Sequence, residues 1–142
     1  MPSETVRVID LRSAPVLDVE GPEVPPWIPL RHRLGVTAFG TNAYRAARAG
    51  DIVVEPHDER RPDGEPEQQE LYAVVAGAAR FTVGGEAFDA PAGTVIFLPD
   101  PQTHREATAT QDGTIVLAVG APAGGFSASA WERRWLEHAG EA

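Results

Sequence analysis

Residues 93–108 read GTVIFLPDPQTHREAT. Thr94 to Leu98 is a short apolar run rich in β-branched and aromatic residues, bounded by Gly93 and Pro99, which is the pattern of a buried strand. Pro99 and Pro101 flank Asp100 and force a tight turn that no helix crosses. The chain then resumes extended at His104 to Thr110 and places an imidazole at the start of the new strand. Strand, proline turn, strand, with a polar group at the rim, is the local grammar of an all-β chain.

The same grammar extends in both directions. Leu71–Ala76 (LYAVVA) and Ala79–Val83 (ARFTV) flank Gly77, and Gly84–Gly85 marks a hairpin before Glu86–Asp89. Thr114–Val119 (TIVLAV) follows. Upstream, Thr5–Asp10 (TVRVID), Val36–Phe39, Asn42–Ala47 and Ile52–Glu55 read as further strands. Short strands joined by turns, in a chain with Gly 14 and Pro 13, predict a sandwich or barrel rather than βαβ units. Pro15 to Pro29 carries prolines at 15, 22, 25, 26 and 29 and reads as an extended connector pinned by Trp27 and Ile28. Asp58 to Gln69, with Pro62, Gly64 and Pro66, reads as a polar loop. Only the tail has helical signals: Ser129 as N-cap, Glu132 completing a capping box, Trp131 and Trp135 one turn apart beside Leu136, and Gly140 as a stop. That stripe predicts a docking face. The 142 residues fit one domain, with an N-terminal strand and arm over 1–35, a barrel over 36–120 and a helix over 127–140.

Composition excludes several chemistries. The net charge of −9 disfavours nucleic acid as a partner. No lysine is present, which excludes lysine Schiff bases, and no cysteine, which excludes disulfides, thiolate nucleophiles and Cys-ligated metals. No apolar run approaches the roughly 18 residues of a membrane span, and Met1–Val16 lacks the pattern of a signal peptide. A soluble cytoplasmic protein, with neither nucleic acid nor membrane as a partner, is expected.

Two segments resemble the paired motifs of the cupin superfamily. The second motif runs glycine, five residues, proline, one residue, glycine, two residues, histidine, three residues, asparagine. Gly93, Pro99, Pro101, His104 and Thr108 keep its spacing, with Pro101 in place of the second glycine and Thr108 in place of the asparagine. The first motif runs glycine, five residues, His-X-His, three or four residues, glutamate, six residues, glycine. Glu70, LYAVVA and Gly77 match its second half. Its first half is altered: six residues follow Gly50, His57-Asp58-Glu59 stands for His-X-His, and ten residues separate Glu59 from Glu70. The chain is similar to small single-domain bacterial cupins of the conserved-barrel type. The resemblance implies a double-stranded β-helix, or jelly-roll barrel, with one short C-terminal helix, and pairing into a homodimer through arms and sheet edges.

It also implies a pocket. His57, Glu59, Glu70 and His104 are its candidate metal ligands. Two imidazole nitrogens and two carboxylates suit Fe, Mn, Ni or Zn with positions open for a ligand, and the altered motif equally admits a barrel with no metal. His57 and Glu59, two apart, share a strand face. Tyr44, Tyr72 and Phe97 are candidate substrate-binding aromatics. His32 and His138 have no partner spacing and read as surface residues. Three functions stay open: a metal-dependent dioxygenase, isomerase or lyase acting on a small organic molecule, a non-catalytic small-molecule-binding barrel with a degenerate metal site, and a barrel kept for oligomer contacts.

Overall fold

Strands form where alternate side chains find a common interior. In the computed structural model, which describes residues 5–17, 24–62 and 64–141, this holds along most of the chain. The elements run β1 (Trp27–Ile28), α1 (Leu30–Leu34), β2 (Gly40–Arg45), β3 (Ile52–His57), β4 (Gln68–Ala76), β5 (Ala78–Val83), β6 (Glu86–Pro91), β7 (Val95–Leu98), β8 (Arg105–Ala109), β9 (Ile115–Pro122) and α2 (Ala130–His138). They build a five-stranded sheet, β1-β2-β9-β4-β7, and a four-stranded sheet, β3-β8-β5-β6, antiparallel throughout. Tyr72 and Val74 from β4, Phe81 from β5, Leu98 from β7 and Val116 from β9 fill the space between the sheets. Phe81 stacks on Phe88, with ring centroids 5.9 Å apart, and meets Tyr72 at 5.8 Å.

The turn glycine between β4 and β5 is required by its surroundings. Gly77 has φ 70°, and a Cβ there would lie 2.3 Å from Thr114 Oγ1 and 2.7 Å from its Cα. No other residue fits without moving Thr114, the residue that leads into β9.

A second, smaller core lies on the outer face of the five-stranded sheet. Ala14, Ile28, Leu30 and Ala43 are buried there, with Ile9, Leu11, Val16, Leu34 and Leu117 packed against them. The proline-rich arm therefore does more than connect: Trp27–Ile28 pairs with β2 as an edge strand, and Leu17 bridges back to Trp27. Arg45 Nη1 ties the arm down by donating to the carbonyls of Leu11 and Ala14 at 2.8 and 2.7 Å. The portion of the arm around Pro22 lies outside the described residues. The other half of the same outer face stays uncovered and apolar, with Val75, Val95 and Phe97 exposed.

Four expectations are corrected. Thr5–Asp10 forms no strand: Val6 and Val8 are exposed, and the segment ends in a turn in which Asp10 accepts from Ser13 and Ala14. Val36–Phe39 is likewise irregular. The tail is not the only helix. Leu30–Leu34 makes one turn, closed by Gly35 in the left-handed region at φ 72° and stabilised by burial of Leu30 rather than by any cap side chain. Finally, α2 forms as read, with the Glu132 amide donating to Ser129 Oγ at 3.1 Å, but buries no residue. Trp131 and Trp135 are 66% and 50% exposed and pack on each other rather than on the barrel.

These burials set contrasting costs. Phe81→Ala should lower the free energy of unfolding by ~3–5 kcal/mol, and Trp135→Ala by less than ~0.5 kcal/mol for the monomer, read by urea unfolding. Equal effects would contradict the packing.

Candidate functional site

The site sits where the ends of the two sheets part. A pocket of about 420 Å³ opens there, lined by Asn42 and Tyr44 from β2, His57 from β3, Glu59 from the following loop, Gln68, Glu70 and Tyr72 from β4, and Gly120 from β9, with Arg31 and Arg61 at its edge. Two irregularities in the β3–β8 pairing, on either side of Val54, bury Val53 and Val54 together and bring His57 opposite Arg105. Glu59 lies past the end of β3. Its amide donates to the Pro101 carbonyl at 2.7 Å, so the proline turn holds this loop over the pocket. Glu70 comes from the facing sheet, paired with Leu98 and Gly120.

Three of the four candidate ligands meet. One atom each from His57, Glu59 and Glu70 lies within 4.8 Å of the others. His57 Nε2 is 2.9 Å from Glu59 Oε1 and 4.0 Å from Glu70 Oε1. His57 Nδ1 lies 2.6 Å from the Glu55 carbonyl, which only accepts, so Nδ1 carries the hydrogen and a neutral ring turns a bare Nε2 lone pair toward the pocket. A lone pair and a carboxylate oxygen at 2.9 Å repel unless a positive particle lies between them, a proton or a metal ion. An Nδ1 tethered to a carbonyl is also the usual support of a metal-bound histidine. One imidazole and two carboxylates are therefore a chemically fitting donor set for a divalent ion.

His104 does not join them. Its side chain is 57% exposed and its Nε2 is 4.0 Å from Glu106 on the outer surface. β8 starts one residue later, with Arg105, Ala107 and Ala109 facing inward, so Arg105 takes the interior place. Its guanidinium is wholly buried. Nη1 donates to Glu70 Oε1 at 3.2 Å, Nε and Nη2 to the Thr103 carbonyl at 3.1 and 2.8 Å, and Nη2 to the Pro101 carbonyl at 3.4 Å. Glu70 Oε1 also accepts from the Tyr72 hydroxyl. Arg105 escaped the sequence reading because arginine belongs on surfaces by default. The signal available was its place beside His104, one step out of phase.

Of the aromatics, Tyr44 and Tyr72 line the pocket. Phe97 does not: it points from β7 to the outside, into a groove with Leu71, Val119 and Phe126. His32 and His138 are surface residues.

The cluster perturbs its own protons. Burial, then the Glu59 charge, push Glu70 up to about 7 against the pull of Arg105 and His57. Burial also pushes Glu59 upward, but the His57 hydrogen bond and charge, with Arg105, outweigh it and leave Glu59 below the ordinary range. Burial pulls His57 down, yet its bonds to Glu59 and the Glu55 carbonyl and the nearby carboxylates leave it raised. Burial, with Glu70, Glu55 and Glu59, holds the Tyr44 phenol far above its normal value, so it stays a hydroxyl.

Residues 52–141 match the AraC-like ligand binding domain, and the chain belongs to that family. No curated protein matches it. Among solved structures it resembles a cupin protein from Bacteroides fragilis at 20% identity, over 82% of this chain and 92% of that one, with a TM-score of 0.61. It resembles a cupin 2 conserved barrel domain protein from Salinispora arenicola at 18% identity, covering 84% and 92%, with a TM-score of 0.61. A conserved protein with a double-stranded β-helix domain from Klebsiella pneumoniae matches at 20% identity over 87% and 92%, with a TM-score of 0.59. The architecture is thus the cupin double-stranded β-helix.

Glu70 supplies a pH test. The folded chain holds its proton more tightly than the unfolded chain does, so its stabilising contribution is complete below the unfolded carboxylate value and is lost as pH rises through about 7. Glu59, shifted the other way, contributes above the unfolded value and loses that contribution in more acidic solution. In chelator-treated protein the Glu70 contribution should fall by on the order of 2 kcal/mol from about pH 4.5 to about pH 7.5. Urea unfolding across that window should show a flatter slope for Glu70→Gln than for wild type; an unchanged slope refutes the assignment.

Proposed function

We propose that the barrel is a metal-dependent enzyme acting on a small polar organic molecule, with His57 Nε2 and one oxygen each of Glu59 and Glu70 holding the ion. The observation that carries this reading is the close approach of His57 to Glu59 at 2.9 Å beside Glu70, on the wall of an open pocket. Of Fe, Mn, Ni and Zn, a set with two carboxylates and one imidazole suits Mn and Fe best. A bound ion would polarise a carbonyl or hydroxyl oxygen of the ligand. The chain's own groups supply the rest. Tyr44, held protonated, and the Asn42 and Gln68 amides line the pocket and offer hydrogen-bond donors to orient hydroxylated ligands. Polarising a ligand oxygen beside the Tyr44 hydroxyl, with no redox step, matches isomerase or lyase chemistry better than the dioxygenase alternative.

A second reading, a non-catalytic small-molecule-binding barrel without metal, is favoured by one observation: Arg105 already neutralises Glu70. In that case the particle between His57 and Glu59 is a proton. The uncovered outer half of the five-stranded sheet and the exposed Trp131–Trp135 face support a homodimer, since apolar patches of this kind are usually buried between subunits. A monomer by light scattering at micromolar concentration would count against that. Cytoplasmic location fits the absence, among the described residues, of any helix able to cross a membrane.

Elemental analysis of untagged protein grown with added Fe, Mn, Ni and Zn separates the two main readings. Wild type and His104→Ala should carry metal, and His57→Ala should carry little, because only His57 faces the pocket. Binding should also fade as pH falls through about 7, where protons compete for His57 Nε2 and Glu70. Metal-free wild type, or equal content in all three proteins, favours the second reading.

A further inference from the structure

Arg105 is the one fully buried ionised side chain among the described residues, and it shares an oxygen with the ligand cluster. Within the buried part of the site, Glu59 and Glu70 oppose a single guanidinium and leave one negative charge when His57 is neutral. A divalent ion overshoots that balance by one positive charge. The ion would also compete for Glu70 Oε1, the oxygen 4.0 Å from His57, which already accepts from Arg105 and from Tyr72. Excess charge among partly buried groups is costly, and an anion of one negative charge removes it. The pocket edge carries positive charge for such an anion: Arg31 and Arg61 both line it, Arg61 with the exposed Glu65 carboxylate 3.6 Å away. Glu55, the remaining carboxylate on the wall, is solvent-exposed and screened.

We propose that Arg105 couples cation binding to an organic anion, so that the pocket holds a divalent ion and a small carboxylate most tightly as a pair. This rests on the metal reading above and names its ligand class. The guanidinium acts as a resident positive charge that weakens the site's hold on metal alone without abolishing it. The carboxylate then sits between the ion and the arginines at the edge. Arg105 is a positioning and charge-setting residue, and it touches neither partner directly.

Calorimetric titration with Mn²⁺, alone and with glycolate or pyruvate present, tests this without any assay of activity. Wild type should bind Mn²⁺ weakly, and either carboxylate should tighten it by about tenfold, within the usual range of coupling between sites. Glycolamide, the neutral analogue of glycolate, should have no effect. Arg105→Gln should bind Mn²⁺ more tightly than wild type without any anion and lose the glycolate effect, and Arg105→Lys should behave as wild type. Because a variant at so buried a position can fail to fold, the wild-type response to carboxylate against amide stands as an independent arm. Mn²⁺ binding indifferent to carboxylate, or weakened in a folded Arg105→Gln, overturns the inference and leaves the metal site standing. No Mn²⁺ binding by wild type even with carboxylate overturns both.

Discussion

A guanidinium with no access to water must be neutralised where it stands, and here the answer comes from the opposite sheet. Arg105 leaves β8 of the four-stranded sheet, and Glu70 meets it from β4 of the five-stranded one. Removing Arg105 would leave Glu59 and Glu70 crowded together without their cation, a loss of about 3–5 kcal/mol. The pair therefore clamps the two sheets at the pocket end, where the hydrophobic core gives out. Other positions follow from it. The turn carbonyls that hold the guanidinium belong to Pro101 and Thr103, and Pro101 also accepts the amide of Glu59. One turn thus fixes the cation, one carboxylate directly and the second through the ion pair.

The barrel was legible because its signals are local and repeated. Thr94–Leu98, Leu71–Ala76 and Ala79–Val83 each carry β-branched or aromatic residues between turn formers, and β7, β4 and β5 form there, β7 beginning at Val95. Elements that depend on distant partners were not legible. Thr5–Asp10 has the alternation of a strand but pairs with no strand among the described residues. Leu30–Leu34 is a helix by virtue of Leu30 entering a core made by Ile28 and Ala43, which linear sequence does not bring together. In the site, the expected meeting of His57 and Glu59 occurs, though Glu59 reaches it from the loop past β3, tied to the Pro101 carbonyl, rather than from a shared strand face, and motif spacing misplaced His104. Spacing counts residues, but the face a side chain takes depends on how the backbone leaves the preceding turn.

The 2.9 Å approach of His57 to Glu59 links the site's proton chemistry to its affinity for cations. Proton and metal ion are alternatives at one position, so anything that favours the first opposes the second. Glu70 extends this competition, since its proton and the Arg105 charge serve the same electrostatic purpose. The site is a set of negative groups with a choice of positive partners, one of them built into the chain.

That built-in partner occupies the interior by a margin of one position. Thr103 closes the turn with its amide on the Asp100 carbonyl at 3.1 Å, and β8 begins two residues later with Arg105 inside and His104 outside. Since successive strand residues face opposite ways, a turn shorter or longer by a single residue would exchange them. An imidazole would enter the barrel beside Glu70 and the guanidinium would swing into water. The same slip would turn Ala107 and Ala109 outward and bring Glu106 and Thr108 inside, so the face taken at the turn is held by the whole of β8. The length of a surface turn and the alternation of β8 together choose which side chain, Arg105 or His104, stands inside.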